Sequence, residues 1–146
     1  MSDERTVSQA KDDEGFRSKP YRCTAGKLTI GYGRNLEDRG ITKEEADYLL
    51  RNDIAAVTKE LQDLIASWYQ LTPPRQAVLI NMGINMGVGG LLRFRKMLAA
   101  LDRHDYKTAA AEMLDSTYAK QVPNRANRLA QQMETGQWVM QKGGGK

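Results

Sequence analysis

The chain is predicted to be α+β and predominantly helical, on three observations. Between Phe16 and Leu36, Tyr, Thr, Ile and Leu are broken by Pro20, Gly26, Gly31 and Gly33, the pattern of short strands joined by tight turns. From Thr42 onward, apolar residues recur at steps of three and four over more than five turns. The remaining sequence, as far as Gly136, reads as a succession of shorter helices.

Residues 3 to 14 read as a short helix whose aliphatic positions, Val7 and Ala10, make only a thin apolar stripe. The small sheet follows, with Ala25-Gly26-Lys27 in a turn. Thr42-Lys43-Glu44-Glu45 is a capping box: the Thr hydroxyl takes one orphan amide and Glu45 reaches back to another. Ala46, Leu49, Leu50, Ile54, Val57, Leu61, Leu64 and Ile65 then share one face of a helix about 35 Å long, enough to bridge two lobes. Thr72-Pro73-Pro74 is a helix entrance, and the run from Ala77 to Met86 is apolar almost all round, as in a central helix. Gly87, Gly89 and Gly90 are expected to end that helix. Two more are expected from Leu91 to Arg103 and from Tyr106 to Ser116, and a last one opens at Pro123 and stops at Gly136.

Residues 1-146 are thus expected to form one domain. It divides into a small β-containing lobe with its bridging helix, about 13-65, and a helical lobe, about 66-140, which the N-terminal helix joins. Residues 141-146 form a frayed tail.

At 146 residues and 40% hydrophobic content the chain can bury a core. Its net charge of +4 and pI of about 9.2 favour anionic polymers, but no dense Lys/Arg run marks a nucleic-acid tail. No nucleic-acid partner is expected. The N-terminus lacks the apolar core of a signal peptide, and the stretch from Ala77 to Leu92 is shorter than the ~20 residues a span requires. A soluble protein without stable membrane insertion is the expectation. One Cys excludes an internal disulfide and one His cannot make a metal site, so neither metal nor cofactor is expected.

Glu14, Cys23 and Thr29 carry the chemistry. Their spacing puts a carboxyl at a helix end and a thiol and a hydroxyl on the hairpin that follows. Such a set suits acid-assisted bond cleavage with a positioned water. Taken singly, each has a plainer reading: a solvated Glu, a small buried hydrophobe in Cys23, a β-former in Thr29.

Asp13-Glu14-Gly15, Thr29-Ile30-Gly31-Tyr32-Gly33, Ile41-Thr42-Lys43-Glu44-Glu45-Ala46, Leu79-Ile80-Asn81-Met82 and Pro123-Asn124-Arg125-Ala126, with a closing Thr135-Gly136-Gln137-Trp138, together resemble the phage-type lysozymes, typified by the T-even phage lysozyme. The resemblance runs from about residue 6 to Trp138. It implies a lysozyme-like fold with the active site between a sheet-containing and a helical lobe. It also implies hydrolysis of the glycosidic bond between the alternating amino sugars of bacterial peptidoglycan by an endolysin-type monomer. Such a product is made in the host cytoplasm and reaches the periplasmic wall through a holin or carrier.

By the same resemblance Glu14 is the acid and Thr29 the catalytic Thr, while Cys23 stands where the family usually has Asp. A thiol with an ordinary pKa of about 8.5 is a poorer anion than Asp unless cations lower it, and Arg17, Lys19 and Arg22 are close in sequence. Cys at this position is similar to a variant among phage endolysins, some of which also use the thiol for control. That control pairs it with a second cysteine, which this chain lacks. A catalytically impaired module that holds cell-wall glycan is the alternative. Tyr32, Asn35, Ile84 and Met97 fall at groove-facing positions of the family, and Arg125 falls in its Pro-Asn-Arg motif, where it either meets the acidic peptide stem or pins the helical lobe. Arg34 replaces the usual His after the Gly-x-Gly turn, and an Arg34–Asp53 ion pair is expected to tie sheet to helix.

Overall fold

A computed structural model of the chain describes residues 3–141. They fall into two compact units that divide between Leu49 and Leu50. Helices dominate and one three-stranded sheet accompanies them, so the fold is α+β and predominantly helical, as predicted.

In the first unit, helix α1 (Glu4–Glu14) starts on Asp3, whose carboxylate accepts from the Arg5 amide at 2.7 Å. Gly15, at φ 71°, ends it and sends its amide back to the Lys11 carbonyl. No α1 residue is buried, consistent with the thin stripe. Strands β1 (Arg17–Arg22), β2 (Leu28–Gly31) and β3 (Arg34–Asn35) pair antiparallel in chain order. The β1–β2 turn is closed by the Gly26 amide on the Cys23 carbonyl at 2.8 Å and the Cys23 amide on the Lys27 carbonyl at 3.0 Å. Gly26 sits in it at φ 78°. A one-turn helix α2 (Leu36–Arg39), absent from the sequence reading, hangs on the Asn35 side chain, which accepts from the Asp38 amide.

Helix α3 (Lys43–Leu64) opens on the predicted capping box. The Glu45 amide donates to Thr42 Oγ1 at 3.1 Å and the Thr42 amide to Glu45 Oε1 at 2.8 Å. The expected Arg34–Asp53 pair is not made. Arg34 instead sends both terminal nitrogens to Glu45, at 2.8 and 2.5 Å, and one of them also to the Gly40 carbonyl. The reason is geometric: the capping box has already fixed the Glu45 carboxylate, and a fixed carboxylate offers the bidentate acceptor a guanidinium prefers.

Arg34 and the Thr42 amide hold the Glu45 carboxyl down at about 2, below an ordinary value of 4.5. Because the folded pKa is depressed, the stabilisation is present above about pH 4.5 and is lost as pH falls from there toward 2. The thermal midpoint of Glu45→Gln should therefore change less than the parent's across that window. Parallel acid limbs for the two proteins would refute this.

The apolar stripe of α3 is only partly used. Leu61 is fully buried, whereas Leu49, Leu50 and Leu64 are each about half exposed. In the first unit Thr29 is the one buried residue among those described, so no apolar core stands there to receive Leu49.

The core belongs to the second unit. A 3₁₀ turn, Trp68–Gln70, leads into α4 (Pro73–Leu91), and α5 (Arg95–Asp102), α6 (Tyr106–Leu114), α7 (Thr117–Gln121) and α8 (Pro123–Thr135) follow. Trp68, Val78, Leu79, Met82, Leu101, Met113 and Met133 pack in one buried cluster. Gly87 breaks the helical backbone of α4 where the sequence places its end. It bends the helix at φ 80°, ψ 153°, after which helical backbone resumes to Leu91. Gly136 ends α8 in the left-handed conformation, as the sequence predicts. Arg75 fastens that end: it donates to the Met133 and Glu134 carbonyls at 2.7 and 2.8 Å and lies 3.6 Å over the Tyr106 ring.

Among the described residues, no single helix is long and apolar enough to cross a membrane.

Candidate active site

The first unit gathers the predicted chemical groups around its sheet. Thr29 lies mid-β2, with Tyr21 and Asn35 as its strand partners, and is 3% exposed. Its hydroxyl donates to the Lys27 carbonyl at 2.9 Å. Cys23 is half-buried at the entrance to the β1–β2 turn.

Hydrogen bonding from the turn amides, that of Lys27 first and then that of Ala25, favours the Cys23 thiolate, with a smaller contribution from Thr29. Those donors, the Lys27 amide first, hold the thiol below its ordinary value against a smaller opposing effect of burial. The basic side chains expected from sequence are not the cause; backbone amides are. Thr29 has a single hydroxyl proton, which its bond to Lys27 occupies, so its lone pairs are what it offers to other donors.

Glu14 is exposed at the end of α1, and its carboxyl rests against Gly33. A Cβ built at Gly33 would meet the Glu14 carboxyl oxygen and lie 2.8 Å from its Cδ. Gly33 also holds φ 73°, a backbone region costly for L side chains. The second Gly of the Gly-x-Gly turn is thus bare for two reasons, and the one that matters to the site, contact with an acid nineteen positions earlier, is invisible in local sequence. Gly33→Ala should displace the Glu14 carboxyl and lower hydrolysis at least about tenfold, with a stability cost on the order of 1 kcal/mol. Unchanged hydrolysis in a folded Gly33→Ala protein would show that the contact does not position Glu14.

The other predicted residues scatter. Tyr32 stands at the tip of the β2–β3 turn, 48% exposed, with Phe16 and Lys11 against its ring. Asn35 is occupied as the cap of α2, accepting from the Asp38 amide and donating to its carboxylate, both at 3.0 Å.

In the second unit, Ile84 and Arg125 line a groove of about 830 Å³ with Ile80, Asn81, Leu129 and Trp138. Met97 has no solvent exposure and packs in the core, so its side chain offers no open surface to a ligand. Among the described residues, no group of His, Cys, Asp and Glu is arranged to hold a metal.

Glu14 thus stands at a helix end, and Cys23 and Thr29 share one hairpin. The phage lysozyme family model matches residues 11–134, which include all three groups. The chain belongs to the phage lysozyme family.

Relatives agree. Probable T4-type lysozyme 1 of Dictyostelium discoideum is 30% identical over 155 residues, covering 86% of this chain and 91% of that protein. An endolysin of Acyrthosiphon pisum secondary endosymbiont phage 1 is 35% identical over 121 residues, covering 80% of each. The pre-baseplate central spike protein Gp5 of Enterobacteria phage T4 is 30% identical over 152 residues, 85% of this chain but 26% of that protein. This phage lysozyme family member is a glycoside hydrolase with the lysozyme-like fold.

Proposed function

We propose that this lysozyme cleaves the β-1,4 bond between N-acetylmuramic acid and N-acetylglucosamine in bacterial peptidoglycan, with Glu14 as general acid and Cys23 and Thr29 positioning or activating the water. The observation that carries the reading is the shared hairpin of Cys23 and Thr29. Backbone amides favour the thiolate there, and a buried hydroxyl stands on the strand that follows the turn.

Hydrolysis requires a proton on the departing glycosidic oxygen, and Glu14 supplies it. On the other face of the sugar a group must take the proton of the attacking water. The Cys23 thiolate does so, while Thr29 accepts a hydrogen bond that orients that water. Because the amides lower the thiol's pKa, the catalytically ready fraction at neutral pH exceeds that of an ordinary cysteine.

Tyr32 and Asn35 would meet the glycan beside Glu14, and within the second unit Ile84 and Arg125 would offer glycan contacts along their own groove. Met97 would act only through packing. The protein would work as a monomer on the periplasmic wall, after synthesis in the host cytoplasm and release by a holin or carrier.

The test is release of reducing sugar ends from purified peptidoglycan under reducing conditions by the parent, Cys23→Ser and Cys23→Asp. Activity is expected in the parent, a loss of about tenfold or more in Cys23→Ser, and retention in Cys23→Asp, because only the last keeps a base. Alkylation of the thiol should mimic the Ser variant. An inert parent that still binds peptidoglycan would favour the second reading, a glycan-holding module in which sulfur has replaced the carboxylate.

A further inference from the structure

Beside Glu14 the first unit presents two aromatic rings to solvent. Phe16 is 64% exposed and Tyr32 is 48% exposed. Their centroids lie 5.5 Å apart at an interplanar angle of 47°. The pair is not loose. Tyr32 lies between Gly31 at φ 71° and Gly33 at φ 73°, and Lys11 Nζ sits 5.4 Å from its ring centroid.

We infer that Phe16 and Tyr32 form a stacking platform for one pyranose ring of an N-acetylated amino-sugar polymer, adjacent to the bond that Glu14 protonates. This rests on the proposed glycan hydrolysis and adds a binding subsite to it. Three observations lead there.

The platform is continuous with the acid. Phe16 is two residues beyond Glu14, and Tyr32 precedes Gly33, against which the Glu14 carboxyl rests. A ligand on the rings is therefore brought to the acid without any further element.

The chemistry matches an amino sugar. One face of a β-linked pyranose is a row of C–H bonds carrying slight positive charge, and the negative face of an aromatic ring attracts it. The 47° tilt makes a shallow trough in which one ring takes the sugar face and the other takes an apolar substituent such as an acetamido methyl. Leaving two large rings exposed forgoes burial, and such exposure commonly marks a recognition surface.

Finally, Lys11 stabilises the empty platform. A cation over the Tyr32 ring fixes its rotamer before the sugar arrives, which lowers the ordering cost of binding. Lys11 is a positioning residue in this scheme and Phe16 the direct contact.

The experiment has two arms. Steady-state hydrolysis of solubilised glycan strands is measured for the parent, Phe16→Ala, Phe16→Leu and Phe16→Trp. In the other arm, ring proton resonances of Phe16 and Tyr32 in the parent are followed by NMR while a tetramer of N-acetylglucosamine is added.

Phe16→Ala should raise KM about tenfold with kcat nearly unchanged, Phe16→Leu should fall between, and Phe16→Trp should keep the parental KM. Unchanged KM in Phe16→Ala, with the parent active, overturns the platform and leaves the lysozyme reading intact. If the parent hydrolyses nothing, the proposed activity fails. The NMR arm then decides alone: ring signals that shift with the tetramer support the platform, and signals that stay put refute it. Because Phe16 is mostly exposed, its variants should fold, and circular dichroism checks this.

Discussion

Glu14→Gln is expected to lower wall hydrolysis by a factor on the order of 10² to 10⁴, the range general acid catalysis contributes, while leaving the protein folded. Gln has the same shape as Glu and fits the same place against Gly33, so the substitution removes the proton without removing the contact. The Glu14 side chain is exposed and α1 buries nothing, so the thermal midpoint should move by no more than about 0.5 kcal/mol would cause. Glu14→Asp makes a useful partner. It keeps the acid but draws the carboxyl back by one methylene from the Gly33 cradle, and its activity should fall between parent and Gln. Glycan binding by Glu14→Gln should persist, because the platform of Phe16 and Tyr32 is untouched. A Gln variant that clears peptidoglycan at the parental rate would remove Glu14 from the mechanism while leaving family membership in place.

How much of this was legible depended on the range of the interaction. The Thr42 and Glu45 capping box, the helix entrance at Thr72 and the stop at Gly136 are signals confined to a few residues. They appeared where read, although Thr72 begins α4 without a side-chain hydrogen bond. The turn that joins Cys23 to Thr29 is equally local, and it forms around Gly26 where the sequence places it. Arg34 was misread because a choice between Asp53 and Glu45 turns on which carboxylate is already fixed in place, and that fixing is itself a product of folding. The stripe on α3 was legible as a pattern but not as burial, since periodicity says which residues share a face and not whether anything covers them. Short helices such as α2 and α7 escaped because one turn carries no period to detect. The Gly33 cradle and the Phe16–Tyr32 pair escaped for a different reason: both join residues that only the folded chain brings side by side.

The second large effect lies in the core, where Trp68→Ala is expected to cost about 3–5 kcal/mol, the usual range for deleting a buried aromatic side chain. Trp68 is 2% exposed and is the largest of the fully buried side chains, packed in one cluster with Leu61, Ile65, Leu71 and Val78. It occupies the 3₁₀ turn between α3 and α4, so its removal opens a void where two helices are joined, and short connections with their own hydrogen bonds collapse poorly. Gln76 Nε2 donates to the Trp68 carbonyl at 3.0 Å and the Leu71 amide donates to it at 3.1 Å; both bonds are to the backbone and survive the substitution. The loss therefore reports packing and not hydrogen bonding. For a unit of this size it corresponds to a fall in thermal midpoint of roughly 12–40 °C. Tyr69→Ala, one residue away and 78% exposed, is the matched control and should stay within about 0.5 kcal/mol of the parent. Fluorescence gives an independent check, because the chain has only two Trp and Trp138 is 58% exposed. Native Trp68→Ala should emit only at the red wavelength of a hydrated indole, having lost the blue component of a buried one. A destabilisation below about 1 kcal/mol would mean that the neighbouring side chains refill the space, which close packing makes costly at a site enclosed on every side.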